Sequence, residues 1–255
     1  MGSIELGLEG KVSIVTGAGR GLGRDIALRF ASQGSKVAIL SRSEHEIEEV
    51  AETIKKMGSE VLGLKADVSD PQQVRDVVSR THQEFGTVDI LINNAAINIR
   101  KPFLEISDSD WQRILDVNLT GYFLFAREVG KIMVSKCSGK VLNVGSELGV
   151  VGDVTGQVAY SASKGGVVQL TRCLAAEWAR YRINVNCVAP ALMDTPLTAE
   201  LLREPDKKSA FVQAIPLGRF AETGEVADII LFMSSHHADF ITGQVLLVDG
   251  GYTIV

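Results

Sequence analysis

Tyr160 and Lys164 lie one helical turn apart in the run Tyr160-Ser161-Ala162-Ser163-Lys164. Residues i and i+4 of a helix share a face about 5–6 Å apart, so this spacing sets an ammonium beside a phenol. A phenol ordinarily titrates near pH ~10, and a neighbouring positive charge favours the phenolate and lowers that value. Such a pair can exchange a proton with an alcohol or a carbonyl near neutral pH. Ser146, upstream, offers a hydroxyl that could hold the reacting oxygen. Glu147 beside it reads two ways: a carboxylate that binds substrate hydroxyls or an amine, or one that faces water.

A second constellation suggests what the proton would accompany. Thr16-Gly17-Ala18-Gly19-Arg20-Gly21-Leu22-Gly23 follows an apolar run and opens a helical pattern. Gly17, Gly21 and Gly23 allow a tight bend and close backbone approach, and a helix N-terminus attracts pyrophosphate. A dinucleotide turn joined to an acid/base phenol reads as hydride-transfer chemistry. At the end of the second strand a carboxylate would bind an adenosine ribose 2′-hydroxyl and repel a 2′-phosphate. Ser41 and Arg42 stand there instead, and Arg20 sits inside the glycine turn. Two guanidiniums can clamp a phosphate, which favours NADP(H) and leaves NAD(H) possible. The opposing reading has Arg42 solvated or paired with Glu44 or Glu46.

The elements that must position these groups alternate along the chain. Strands are expected within Lys11–Thr16 and over Lys36–Ser41, Val61–Lys65, Val88–Ile92, Lys140–Val144, Asn184–Val188 and Gln244–Val248. Their apolar runs, such as Val37-Ala38-Ile39-Leu40, are too continuous for a half-wet sheet and suit parallel strands covered on both faces. Between them, apolar residues recur at helical spacing over Gly21–Gln33, at Ile47, Val50, Ala51 and Ile54, and from Val74 to Phe85. Asp70-Pro71 marks a helix start. Ser107 with Asp110 resembles a capping box opening a long helix through about Lys136, and Ala159–Arg180 reads as a second long helix. The alternation implies an α/β fold, one doubly wound domain over residues 1–255 with right-handed crossovers. Ala189 to Glu222 breaks the rhythm with Pro190, Pro196, Pro205 and Pro216, as a substrate lid over 189–222 would.

Bulk properties narrow the classes. The 255 residues carry a net charge of −5, so a nucleic-acid-binding surface is not expected. No apolar run reaches the ~20 residues of a membrane span, and no basic-then-apolar leader opens the chain. Met1-Gly2 does not begin a myristoylation signal, because Leu6 stands where Ser or Thr is needed. Cys137, Cys173 and Cys187 are too few and too widely spaced for a disulfide framework. They read as buried free thiols in a reducing, cytoplasmic compartment. The four histidines, His236-His237 among them, do not suggest a metal site.

Along essentially its whole length the chain resembles the short-chain dehydrogenase/reductase family. Thr-Gly-x-x-x-Gly-x-Gly is similar to that family's dinucleotide fingerprint. Asn93-Asn94-Ala95-Ala96 resembles its Asn-Asn-Ala-Gly segment, with Ala96 for glycine, and Pro190-Ala191 its Pro-Gly step. The resemblance implies a Rossmann domain with a parallel seven-stranded sheet and helices on both faces. It implies Asn118, Ser146, Tyr160 and Lys164 as the catalytic set. Tyr160 would be the acid/base, Lys164 would lower its pKa and hold the nicotinamide ribose, and Ser146 would orient the substrate oxygen. Asn118 would hold a water linking Lys164 to solvent. Cofactor contacts carry over to Gly17, Arg20, Gly21, Leu22, Gly23, Ser41, Arg42, Asp67, Val68, Asn94, Ala95, Tyr160, Lys164, Pro190 and Thr195. Ser146 and Tyr160 are fourteen residues apart, a little wide for the pattern, so the loop between them and the substrate pocket are reshaped.

The reading is an NADP(H)-dependent enzyme interconverting a carbonyl and a secondary alcohol. Asn98-Ile99-Arg100-Lys101-Pro102-Phe103 and Ser146-Glu147 look similar to gluconate-type dehydrogenases, in which Arg100 would bind a carboxylate. A beta-ketoacyl-carrier-protein reductase is the other candidate, and would need a basic docking patch. A non-catalytic NADP-binding regulator is a remote alternative, against which the intact four-residue set weighs. Phe123, Phe125, Val168 and Trp178 on the two long helices exceed what one sheet face needs, which suggests a homotetramer built by symmetric helix pairing.

Overall fold

Seven strands run parallel in the order β3-β2-β1-β4-β5-β6-β7 in the computed structural model, which describes residues 5–152 and 155–255. They are β1 (Val12–Thr16), β2 (Lys36–Ser41), β3 (Val61–Lys65), β4 (Ile90–Asn93), β5 (Gly139–Val144), β6 (Ile183–Pro190) and β7 (Val245–Val248). The helices are α1 (Gly21–Ser32), α2 (Glu44–Lys56), α3 (Pro71–Phe85), α4 (Asp108–Leu115), α5 (Gly121–Lys136), α6 (Val158–Trp178), α7 (Pro205–Ala214) and α8 (Thr223–Ser234). Met1 and Gly2 lie outside the described residues.

Every residue of β1 and β4 is buried, because both sheet faces are covered. Phe30, Ile54, Val226 and Ile230 of α1, α2 and α8 build one core, and Val74, Phe125, Val129 and Trp178 of α3, α5 and α6 build the other. Local chemistry sets the helix starts. Asp70 accepts from Gln72 and Gln73 N–H with Pro71 in the first turn of α3, and Ser107 and Asp110 form a complete capping box. The strand order reverses direction between β1 and β4, so their carboxyl ends open a crevice there. A buried polar chain fixes the elements beneath it. Asn93 donates to Asn143 Oδ1 at 2.9 Å, and Asn143 donates to Thr171 Oγ1 at 2.9 Å, joining β4, β5 and α6.

Several expectations need correction. The fourth strand is displaced towards Asn93, because at its start the Asp89 carboxylate, not a strand carbonyl, takes the Val12 N–H at 2.9 Å. The single helix expected through Lys136 is interrupted by a π-turn over Asp116–Thr120. That insertion carries Asn118, and π-bulges commonly mark functional positions. The helix expected to Arg180 gives way to a 3-10 turn over Ala179–Tyr181, closed by Arg182 in the left-handed region. Only Cys187 is buried; Cys137 and Cys173 are exposed. Phe125, Val168 and Trp178 are absorbed by the core at 0%, 6% and 8% exposure, leaving Phe123 at 43%. The surplus of apolar helix residues invoked for oligomerisation therefore reduces to one.

Residues 189–222 leave the end of β6, bridge back through Met193 and Ala221, and carry α7, none of whose side chains is buried. Leu217 N–H donates to the Gly250 carbonyl at 3.1 Å, tying the far side of this excursion to the turn after β7.

Candidate active site

A cleft of about 430 Å³ opens over the carboxyl ends of the strands. It is lined by Gly17, Arg20, Gly21, Leu22, Gly23, Ser41, Arg42, Asp67, Val68, Asn94, Ala95, Ser146, Tyr160, Lys164, Pro190 and Thr195. Of the expected site residues only Asn118 is missing from this surface, and it stands fully buried behind the wall. No group of three or more His, Cys, Asp or Glu among the described residues is arranged to hold a metal ion.

The glycine turn suits a dinucleotide. Gly17 and Gly21 have φ of +66° and +54°, and a Cβ at Gly23 would lie 2.2 Å from the Gly17 carbonyl oxygen. A side chain at Gly23 would therefore force the turn open. Arg20, at the N-cap of α1, places no side-chain acceptor on the first turn, so those N–H groups remain available to a phosphate. Thr16 Oγ1 accepts the N–H groups of Asn94 and Ala95, and Asn94 Nδ2 donates to the Thr16 and Gly17 carbonyls. The two crevice walls are thus stitched together. Ala96 and Ala191, standing where the family pattern has glycine, have no positive φ, so their side chains impose no backbone strain.

Where the cleft meets the end of β2, Arg42 is exposed and makes no ion pair among the described residues. Arg20 pairs with Glu46 at 3.5 Å. Glu46 was not singled out in the sequence except as a partner for Arg42, yet its carboxylate closes on Gly19, where a Cβ would lie 2.8 Å from Oε2. Ser41 Oγ donates to the Ser43 carbonyl at 3.0 Å and accepts the Ser43 N–H. Asp67 accepts from Ser69 N–H and Oγ, and Thr195 N–H donates to Thr198 Oγ1.

At the other end, Tyr160, Ser146 and Lys164 converge from α6 and the end of β5. Lys164, 1% exposed, donates to the Val144 carbonyl at 2.7 Å and to Tyr122 Oη at 3.3 Å. Its ammonium lies 5.7 Å from the centre of the Tyr160 ring. Burial lowers the Lys164 pKa to about 8. Burial also holds the Tyr160 phenol above its ordinary range, with Glu147 acting in the same direction and a Ser146 hydrogen bond and Arg100 opposing. The expected lowering of Tyr160 by Lys164 is thus not seen in the protein alone, where desolvation dominates and the opposing influences are Ser146 and Arg100. Asn118 accepts the Ile97 N–H and donates to the Ile97 carbonyl, both at 2.9 Å, and reaches Ser163 Oγ at 3.2 Å. Its amide thereby clamps the segment after β4 to α6.

Glu147 is buried, and its Oε2 accepts the Ser146 hydroxyl at 2.6 Å. Burial pushes the Glu147 carboxyl up to about 7, against hydrogen bonds from Ser146 and backbone amides. Of the alternatives left open for this residue, facing water is excluded. Tyr122 and Gln157 escaped sequence reading. Tyr122 follows Asn118 by one turn across the π-insertion, and Gln157, at the N-cap of α6, accepts from Asn98 at 2.5 Å. Neither belongs to a motif, and only the folded contacts single them out.

Comparison with known proteins places the chain among known relatives. The enoyl-(acyl carrier protein) reductase family model matches residues 17–253. A 3-oxoacyl-[acyl-carrier-protein] reductase of Aquifex aeolicus is 40% identical over 249 residues, covering 97% of this chain and 99% of the relative. A 2-dehydro-3-deoxy-D-gluconate 5-dehydrogenase of Pseudoalteromonas atlantica is 37% identical, covering 96% of each. A gluconate 5-dehydrogenase of Burkholderia cenocepacia, crystallised with NADP and tartrate, superposes with a TM-score of 0.94 at 32% identity, covering 98% of each chain.

The raised Glu147 pKa carries a stability consequence. Between its ordinary value of 4.5 and about 7 the folded state binds more protons than the unfolded state, so stability falls as pH rises through that window. Glu147→Gln should therefore gain on the wild type between about pH 5 and about pH 8.5, by roughly 3 kcal/mol at the 1.36 kcal/mol per unit of linkage. Urea unfolding of both proteins at the two pH values measures this, and a pH-independent difference would contradict it.

Proposed function

The chain belongs to the short-chain dehydrogenase/reductase family, and from that premise we propose that it is an NADP(H)-dependent oxidoreductase interconverting a carbonyl and a secondary alcohol. The observation that carries this reading is the convergence of Ser146, Tyr160 and Lys164 on the same cleft as an uncapped glycine turn. The glycine turn, Asn94, Lys164 and Thr195 would hold a nicotinamide dinucleotide along that cleft, and its chemistry would be to supply or accept the hydride. Tyr160 then gives its proton to the carbonyl oxygen in reduction and takes one from the alcohol in oxidation. Ser146 holds the same oxygen. Lys164 contributes the positive charge that stabilises a phenolate and reaches toward the ribose hydroxyls. Asn118 positions α6 and the segment after β4. Val68 and Asp67 border the adenine, Pro190 and Thr195 the nicotinamide, and residues 189–222 with α7 close over the substrate as a lid.

Exposed Arg42 supports the NADP(H) preference, and the Arg20–Glu46 pair leaves NAD(H) use open. Within the family, Arg100, Glu147, Asn98 and Gln157 make the substrate end polar, which favours a hydroxy acid of gluconate type over an acyl thioester. Exposed Phe123, Phe240, Leu246 and Ile254 support assembly into a homotetramer, and the free cysteines support a cytoplasmic site of action.

Two experiments test this reading. Tyr160→Phe keeps the ring and removes the acid/base, so kcat should fall roughly 10²–10⁴-fold while NADPH binding survives; turnover near the wild-type rate would refute the assigned role. Ser41→Asp combined with Arg42→Val should weaken NADPH, by roughly 10- to 150-fold for about 1.5–3 kcal/mol of lost charge-assisted contact, and improve NADH. The ratio of kcat/KM for the two cofactors, compared between both proteins, decides it. A wild type that prefers NADH, or an unchanged ratio, removes Arg42 from the cofactor site.

A further inference from the structure

A serine hydroxyl has one proton, and in this structure Ser146 gives it to Glu147 Oε2 at 2.6 Å. The Ser146 oxygen meanwhile accepts the Leu148 N–H at 3.2 Å and is also hydrogen-bonded to the Tyr160 side chain. With Glu147 ionised, Ser146 therefore has no donor left for a substrate carbonyl. With Glu147 protonated, the carboxylic O–H can donate to Ser146 Oγ, and the serine proton becomes free to point at the substrate. Glu147 is 8% exposed, takes hydrogen bonds from the Glu147 and Leu148 backbone amides besides that of Ser146, and sits in a 3-10 turn that packs on α6. The titratable and charged groups around it are Asp249 after β7, Tyr252 in the C-terminal turn, Tyr160 and Lys164 on α6, and Arg100 from the segment after β4.

Resting on the carbonyl–alcohol reading above, we propose that Glu147 is a positioning residue whose protonation sets the direction of the Ser146 hydrogen bond and so gates carbonyl reduction. No proton is transferred from Glu147 to product. Tyr160 supplies the proton, and Glu147 keeps its own while Ser146 turns toward the carbonyl oxygen. The raised pKa of about 7 places the change inside the working range of an enzyme at neutral pH. Raising pH through that value should thus switch Ser146 away from the carbonyl and disfavour reduction.

Reduction of ethyl acetoacetate and of 5-keto-gluconate by NADPH, followed from about pH 5.5 to about pH 9, tests the gate. For whichever probe the wild type reduces, kcat/KM should fall about tenfold per pH unit above about 7, as loss of one required proton dictates. Glu147→Gln, whose amide carries no proton that titrates in this range, should lose that limb. Ser146→Ala should be slower and should also lack it, and adding Glu147→Gln to Ser146→Ala should change nothing further. A limb that persists in Glu147→Gln or in Ser146→Ala overturns the proposal, as does a wild type without one. If the wild type reduces neither probe, the carbonyl reading fails for these classes, and the infrared carboxyl stretch decides the gate itself. A protonated-carboxyl band that titrates near pH ~7 and vanishes in Glu147→Gln, with its frequency moved by Ser146→Ala, supports it. A band absent from the wild type, or unmoved by Ser146→Ala, overturns it.

Discussion

A buried ammonium must find hydrogen-bond acceptors or give up its proton, and the site is arranged around that demand at Lys164. The Val144 carbonyl and Tyr122 Oη answer it from β5 and α5. Tyr122 in turn donates to the Val144 carbonyl at 3.1 Å, so three elements meet at one nitrogen. The same burial that draws the lysine down to about 8 lifts the Tyr160 phenol. The protein alone thus holds its acid/base pair in the neutral-favouring direction. The additional positive charge of an oxidised nicotinamide beside Tyr160 is what would tilt the balance toward the phenolate.

Everything that supports this nitrogen follows from the sheet. Parallel pairing sends the carboxyl ends of β1, β4, β5 and β6 to one edge, where Gly17, Asn94, Ser146 and Pro190 meet. The Asn93–Asn143–Thr171 chain locks α6 onto β5 from below. The π-turn turns Asn118 onto the Ile97 backbone and Ser163. Tyr160 and Ser146 are therefore brought together by rigid elements, while α7 has no buried side chain of its own and is anchored through Leu202 and Ile215 on either side.

The fold and most of the cleft were legible in the sequence because their causes are local or periodic. Apolar runs such as Ile90-Leu91-Ile92 betray strands covered on both faces, and Asp70-Pro71 and Ser107 with Asp110 announce their helix starts through backbone capping. The glycine turn and Tyr160–Lys164 are spacing signals. What escaped depends on contacts between distant segments. Nothing in the order of residues says that Trp178 fills the space over Gly130, where a Cβ would lie 2.7 Å from the indole, and so it read as surplus. The π-insertion adds no composition signal to a continuous helical pattern. The Tyr160 pKa went the wrong way because i,i+4 spacing reports proximity to Lys164 and not the desolvation that both groups undergo. Glu46 and Tyr122 act only through where α2 and α5 come to rest.

The central claim is that burial keeps Tyr160 protonated in the protein alone and that oxidised cofactor reverses this. Ultraviolet difference titration of tyrosinate, with Tyr160→Phe as the reference, reads that side chain directly in the presence and absence of NADP⁺. The account predicts that Tyr160 alone resists ionisation beyond the ordinary phenol value near pH ~10, and that saturating NADP⁺ brings its ionisation well below that value. A Tyr160 titration that is the same with and without NADP⁺ would contradict it.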